Sequence, residues 1–354
     1  MSLPLGTLLK PVFPLSAESF PKMAAERFGA QEDMDKTWLT FEPVARTLVD
    51  SFYLTLDHPK ERDLVPRLDD TPPELRGIAY EGAGMGLMLL DSLFPYRKRL
   101  PAFLHGPGAP YRCLVYIGAG LVLPRVPLAP RRFLLRQDPF LRWLVIDGYG
   151  FYEGFFSWRE VVERHTVPRG IDGYAARAFD QGVGRSLWFS TGANVERITE
   201  TVQAFPPQRH GDLWSGIGLA CAYAAGVMDR TAIVTLLRKA GRHRADIAAG
   251  SAVASVFREQ SGLPAPHTDL ACDVVWGMDA SAVAALAHEA GLGLGGPGVG
   301  PADGPGVPEY ERWRRRIRAA WLDSPAAGSS GSSGPSSSSG SSGPSGPEAK
   351  GAGA

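Results

Sequence analysis

The sequence predicts an all-α protein, a helical-hairpin repeat array (an α/α solenoid or toroid) with a period of about 34 residues. A Gly-x-Gly signature recurs at Gly82/Gly84, Gly118/Gly120, Gly148/Gly150, Gly182/Gly184 and Gly216/Gly218, with a degenerate copy at Gly250/Ala252. From one copy to the next the first position steps by 36, 30, 34, 34 and 34, and a fixed period in this range marks stacked helical hairpins. Helix-capping residues frame the later copies in the same rhythm.

Residues 1–35 read as a lead-in, and the array runs on from there within one domain spanning residues 1–324. The segment Leu114-Val-Tyr-Ile-Gly-Ala-Gly-Leu-Val-Leu-Pro also passes for a strand, so both readings stand for that copy. Asn194 precedes a helix over residues 195–205, which Pro206 and Pro207 stop. Asp212 precedes the apolar run of residues 213–228, and Asp246 stands one repeat later before Ile247. Each aspartate is expected to be an N-cap, accepting from the free amides of a first helical turn. Residues 231–240 supply the second helix of that hairpin, and Gly241 and Gly262 suit left-handed C-terminal caps. A Gly/Pro-rich loop over 291–308 leads to a last helix over 309–322, where Tyr310, Trp313, Ile317 and Trp321 form a stripe that docks on the body. From residue 325 to residue 354 the chain is Ser, Gly and Pro, too poor in apolar residues to offset its ordering entropy, and reads as a disordered tail.

Glycine inside a helix costs about 1 kcal/mol relative to alanine, so five pairs represent a penalty of order 10 kcal/mol. Close approach of neighbouring helix backbones is the simplest compensation. Bulky partners stand nearby at Tyr80, Tyr116, Trp143, Tyr149, Phe179, Trp188, Trp214 and Tyr223, giving glycine grooves alternating with aromatic knobs. A dinucleotide fingerprint is excluded, because Gly82-Ala-Gly84-Met-Gly86 has the wrong spacing and several copies of one signature speak for architecture.

Composition narrows the function further. Thirty-seven basic residues balance 37 acidic ones, so no general attraction to nucleic acid is expected. The dense cluster Arg312, Arg314, Arg315, Arg316 and Arg318 reads as a solvated helix face rather than a phosphate site. Cys113, Cys221 and Cys272 are far apart, which supports neither a zinc site nor a disulfide framework. Without a leader-like N-terminus or an apolar run of roughly 20 residues, the expectation is a cytoplasmic protein with no membrane span.

Chemistry-bearing residues collect around the glycine pairs. Glu81, Asp147 and Gln181 directly precede three of them, with Asp180 beside the last, and stacking would bring such positions to equivalent heights on successive helices. Carboxylates in a concave, aromatic cavity have their pKa raised by burial and can act as general acids. The alternative is that they cap helices or satisfy backbone groups. Glu81, Asp147, Asp180 and Arg185 are therefore the candidate catalytic residues, with Tyr149, Tyr152, Glu153, Trp188 and Trp214 as the candidate substrate contacts. His210, His243 and His267 stand at expected corners, each followed closely by Asp212, Asp246 or Asp269, and their spacing favours capping over metal ligation. No cofactor or metal is expected.

Five strings carry a resemblance. They are RGIAYEGAGMGLMLLD at residues 76–91, LLRQDPFLRWLVIDGYGFYEGFF at 134–156, GYAARAFDQGVGRSLWF at 173–189, DLWSGIGLACAYAAG at 212–226 and HTDLAC at 267–272. Together, over roughly residues 5–322, they resemble a bacterial family of unknown-function proteins associated with enediyne polyketide biosynthesis clusters. The resemblance implies an accessory role on a long apolar polyene or polyketide intermediate. A non-catalytic scaffold joining the polyketide synthase to tailoring enzymes is the alternative. It carries over no catalytic residue.

Overall fold

A computed structural model describes residues 5–29, 32–126, 133–224, 229–294 and 306–329. Among them there is no strand, and the protein is all-α. The N-terminal part comprises α1 (Leu5–Leu9), α2 (Ser19–Phe28), α3 (Glu32–Asp57), α4 (Glu61–Asp69), α5 (Pro73–Leu93) and α6 (Arg99–His105). The middle comprises α7 (Arg112–Val122), α8 (Trp143–Phe156), α9 (Tyr174–Ser190), α10 (Val195–Ala204) and α11 (His210–Ala224). There follow α12 (Arg230–Lys239), α13 (Arg244–Ser261), α14 (Pro266–Trp276), α15 (Ala280–Ala290), α16 (Glu309–Leu322) and α17 (Pro325–Ser329). The strand reading of residues 114–124 falls away: those residues are α7 and a 3-10 turn.

The glycine helices α5, α7, α8, α9, α11 and α13 pack on one another in chain order, with α3 against the first. A Cβ added at Gly118, Gly148, Gly182, Gly216 or Gly250 would collide with the carbonyl oxygen of Glu81, Ile117, Asp147, Gln181 or Ser215 respectively. In every case that carbonyl belongs to the residue just before the preceding glycine pair. The second glycine faces the other way: Gly150 meets the Phe179 carbonyl and Gly184 the Leu213 carbonyl. Each pair thus clamps its helix between two neighbours. Buried backbone contact is what offsets the propensity cost of these glycines.

The caps agree in part with expectation. Asn194 Oδ1 accepts from the Arg197 amide at 3.0 Å, and Gly262 closes α13 with φ +65°. Gly241 is left-handed as well. Asp212 and Asp246, however, are not N-caps. Helices α11 and α13 begin two residues earlier, straight out of 3-10 turns, so both aspartates stand within the first helical turn. Asp212 is turned instead to Arg177 Nε at 2.8 Å and Arg314 Nη2 at 3.0 Å.

Helix α16 docks as its stripe predicts, with Trp313 Nε1 donating to the Ala287 carbonyl (2.7 Å) and Trp321 Nε1 to that of Val275 (2.8 Å). Of its five clustered arginines, Arg312, Arg315 and Arg316 are exposed as expected, whereas Arg314 is buried and Arg318 half-buried. Arg314 and Glu311 are fully buried, and Glu311 draws in Arg177 (3.0 Å), Arg315 (3.0 Å) and Arg318 (2.7 Å). This is an internal ion-pair seam joining α16 to α9 and α11.

The lead-in is also more than a lead-in. Phe20 of α2 packs on Phe155 with ring centroids 5.0 Å apart, and Arg27 lies over the Phe155 and Trp158 rings. Residues 325–329 form α17 rather than the start of a disordered tail, and residues 330–354 lie outside the described residues, as does 295–305 of the Gly/Pro-rich loop. No single helix among the described residues is long and apolar enough to cross a membrane; α14 and α15 reach that length only jointly, bent by 66°.

Candidate binding cavity and its charged cluster

The glycine register decides which side chains look inward. Positions one before and three after the first glycine are four apart and share a helix face. The earlier position holds Glu81, Ile117, Asp147 and Gln181, and the later one Met85, Leu121, Phe151, Arg185 and Leu219. Glu81, Ile117, Phe151, Arg185 and Leu219 line a cavity of about 60 Å³, which Phe20 and Trp38 complete from α2 and α3.

Arg185 is the hub of the polar part. Its Nη1 pairs with Asp147 Oδ1, while its Nη2 stands 3.6 Å from Glu81 Oε1. Gln181 Nε2 donates to Asp147 Oδ2 at 2.9 Å, and the guanidinium lies over the Phe151 ring at 5.1 Å. All four polar residues are buried. Two carboxylates share one guanidinium here, and Asp147 takes the closer contact. Burial, helped by the charge of Asp147 and opposed by Arg185, pushes the Glu81 carboxyl up to about 7. A carboxyl poised there exchanges a proton near neutral pH, which is what a general acid or base needs.

Three of the four candidate catalytic residues therefore meet: Glu81, Asp147 and Arg185. Asp180 stands apart from them. It precedes Gln181 by one residue, a rotation of about 100° around the helix, and its carboxylate receives Arg209 Nε at 3.0 Å and Nη2 at 2.5 Å. Arg209 is held in turn by the His165 carbonyl at 2.7 Å. Burial raises the Asp180 carboxyl to about 6 despite that pairing.

The aromatic expectations divide similarly. Tyr152 lines a neighbouring cavity of about 20 Å³ together with Phe156 and Arg125. Trp188 and Trp214 are buried in helix packing and line neither of these cavities; Tyr149 packs edge-on against Phe179 at 5.9 Å, and Glu153 is only partly buried beside it. The cavity aromatics are Phe20, Trp38, Phe151, Phe189, Tyr223 and Phe257. Of these, Tyr223 stood among the bulky partners expected beside the glycine pairs, while Phe151 and Phe189 lie on the glycine helices but were not singled out. Phe20 and Trp38 come from segments outside the repeat, and nothing in their spacing announces it.

Residues 9–321 match the model of a family described as "Protein of unknown function (DUF1702)". The chain belongs to this family. No curated protein and no solved structure matches it. In this DUF1702 protein the central cavity has two neighbours. It shares Phe20, Leu48 and Phe151 with the 20 Å³ space, and Val44, Ile78, Tyr223 and Ala224 with one of about 320 Å³. The three spaces thus adjoin through common walls.

Two of the three histidines are corner residues as expected, His210 bonding the Phe205 carbonyl (2.7 Å) and His243 Nδ1 the Asp246 carboxylate (3.1 Å). His267 differs. It is the second residue of α14, lines the 320 Å³ cavity and bonds the Tyr223 carbonyl through Nε2 at 2.8 Å. Burial and the adjacent Arg258 hold its imidazole down at about 4, so the ring is neutral. Among the described residues no group of three His, Cys, Asp or Glu side chains is placed to hold a metal ion.

Proposed function

We propose that the protein binds, and holds for reaction, a long apolar polyene or polyketide intermediate within the adjoining cavities, as an accessory of enediyne-type biosynthesis. One observation carries this reading: the aromatic and aliphatic lining of the central cavity is interrupted by Glu81 and Arg185, which form with Asp147 a charged cluster set in the register of the glycine pairs. An apolar chain gains about 25 cal/mol for each Å² it removes from water, and the cluster supplies the few polar contacts that fix its register. Glu81 is the group placed to give a proton to, or take one from, the bound chain. Successive helical hairpins, clamped by glycine, form the repeat array that shapes the passage. The resemblance of the five strings to proteins of enediyne clusters supplies the substrate class.

The test is a spectrum. Protein purified from a host making the polyene shows a ligand-derived ultraviolet band, and Leu219→Trp, which fills the cavity, removes it while the helical circular dichroism persists. Normal loading of the folded L219W protein would place the ligand elsewhere.

A further inference from the structure

Among the described residues the buried Arg185 and Arg314 and the half-buried Arg209 are matched by carboxylates, whereas the buried Arg258 on the passage is not. Arg185 has Glu81 and Asp147, Arg314 has Asp212 and Glu311, and Arg209 has Asp180. Arg258 is 3 % exposed, yet its hydrogen-bond partners are neutral: the Glu74 carbonyl (3.0 Å), the Tyr223 carbonyl (2.8 Å) and the His267 ring (3.2 Å). Among the described residues its Nε is buried without a partner, and its guanidinium lies over the Tyr223 ring at 4.1 Å. Among the described residues it forms no ion pair with a carboxylate.

The neutral partners compensate only partly. The Tyr223 carbonyl belongs to the last turn of α11, and a helix C-terminus carries about half a negative charge. His267 Nε2 lies within bonding distance of both the Tyr223 carbonyl and Arg258 Nη2, and one nitrogen cannot donate to the first and accept from the second. The positive charge of Arg258 therefore remains without a paired carboxylate in the wall of the 320 Å³ cavity, which also holds the exposed Glu74 and is apolar at Pro43, Val44, Leu75 and Ile78. A desolvated cation that lacks its counterion is a binding site for an anion.

We infer that Arg258 anchors the carboxylate of an elongated apolar monocarboxylic acid, whose tail runs past Ile78 and Tyr223 towards Arg185 and Phe151. This rests on the apolar-ligand reading above and specifies its end group. The two cavities share Val44, Ile78, Tyr223 and Ala224, so a head at Arg258 and a tail in the central space belong to one molecule.

Fluorescence titration of the full chain with cis-parinaric acid and with its methyl ester tests this. The acid binds roughly tenfold to a hundredfold more tightly than the ester, the worth of a charge-assisted hydrogen bond. In Arg258→Gln the acid falls to the ester's affinity and the ester is unchanged. Thr40→Trp, at an exposed position that lines the 320 Å³ cavity, weakens both and does not depend on the Arg258 variant folding. Equal binding of acid and ester to the native protein, or a preference for the acid surviving in folded R258Q, overturns the anchor and leaves the apolar-ligand reading standing. Binding of neither probe overturns both.

Discussion

The clusters around Arg185 and Arg314 use the same residue types, are both buried, and push their glutamates in opposite directions. At Arg314, four arginines converge on Glu311 and hold its carboxyl down at about 2 against the cost of burial. At Arg185, one guanidinium serves two carboxylates, and burial wins at Glu81, raising it to about 7. Neither outcome follows from burial alone; the local ratio of charges decides. Glu311 is tied into a helix seam, whereas Glu81 faces a cavity. The first arrangement is built for cohesion, the second for exchange.

That contrast can be broken experimentally, and the largest effect belongs to the seam. Arg314→Ala leaves Glu311 and Asp212 short of a partner inside the protein, a loss of about 3–5 kcal/mol in denaturant unfolding. Arg185→Ala costs less, about 1–2 kcal/mol, because Glu81 can take up a proton and Asp147 keeps the Gln181 amide when their shared counterion goes. Equal losses would mean that the two clusters are both structural.

The pH profiles separate them next. Glu81 binds its proton more tightly in the folded state than the ordinary value of 4.5, so native stability falls as pH rises from 4.5 through 7. Glu81→Gln flattens that decline in Tm. Glu311 binds its proton more weakly when folded, so its contribution is present above pH 4.5 and is lost as pH falls towards 2. Glu311→Gln removes this acid limb and leaves the neutral range sloped as before. The smallest effect is expected from Arg312→Ala, whose side chain is 49 % exposed and paired with Glu309; it changes stability by less than about 0.5 kcal/mol.

Much of this was open to reading from the chain. The glycine spacing announced tight helix contacts, and Glu81, Asp147 and Arg185 were found from their place in it. The error over Asp180 was one residue wide: Gln181, not Asp180, occupies the position before the glycine pair, and one residue is about 100° of helix. The misassigned caps at Asp212 and Asp246 have a similar source. An aspartate suits either the cap or the first turn, and only the actual helix start tells them apart. Arg314 of α16 looked solvated, like its exposed neighbours, because its partner Asp212 is remote in the chain. Asp212 meets it, and Arg177 meets Glu311, only after the long intervening segment has folded back.

Local sequence thus determined the helices, their glycine clamps and the inward register, since these depend on spacing along a single helix and its nearest neighbours. Tertiary structure alone decided that Phe20 and Trp38 close the cavity, that Glu311 is a counterion rather than a surface charge, and that Arg258 is left without one. The balance of buried charge is a property of what surrounds a side chain from every direction, and sequence neighbours supply only one of those directions.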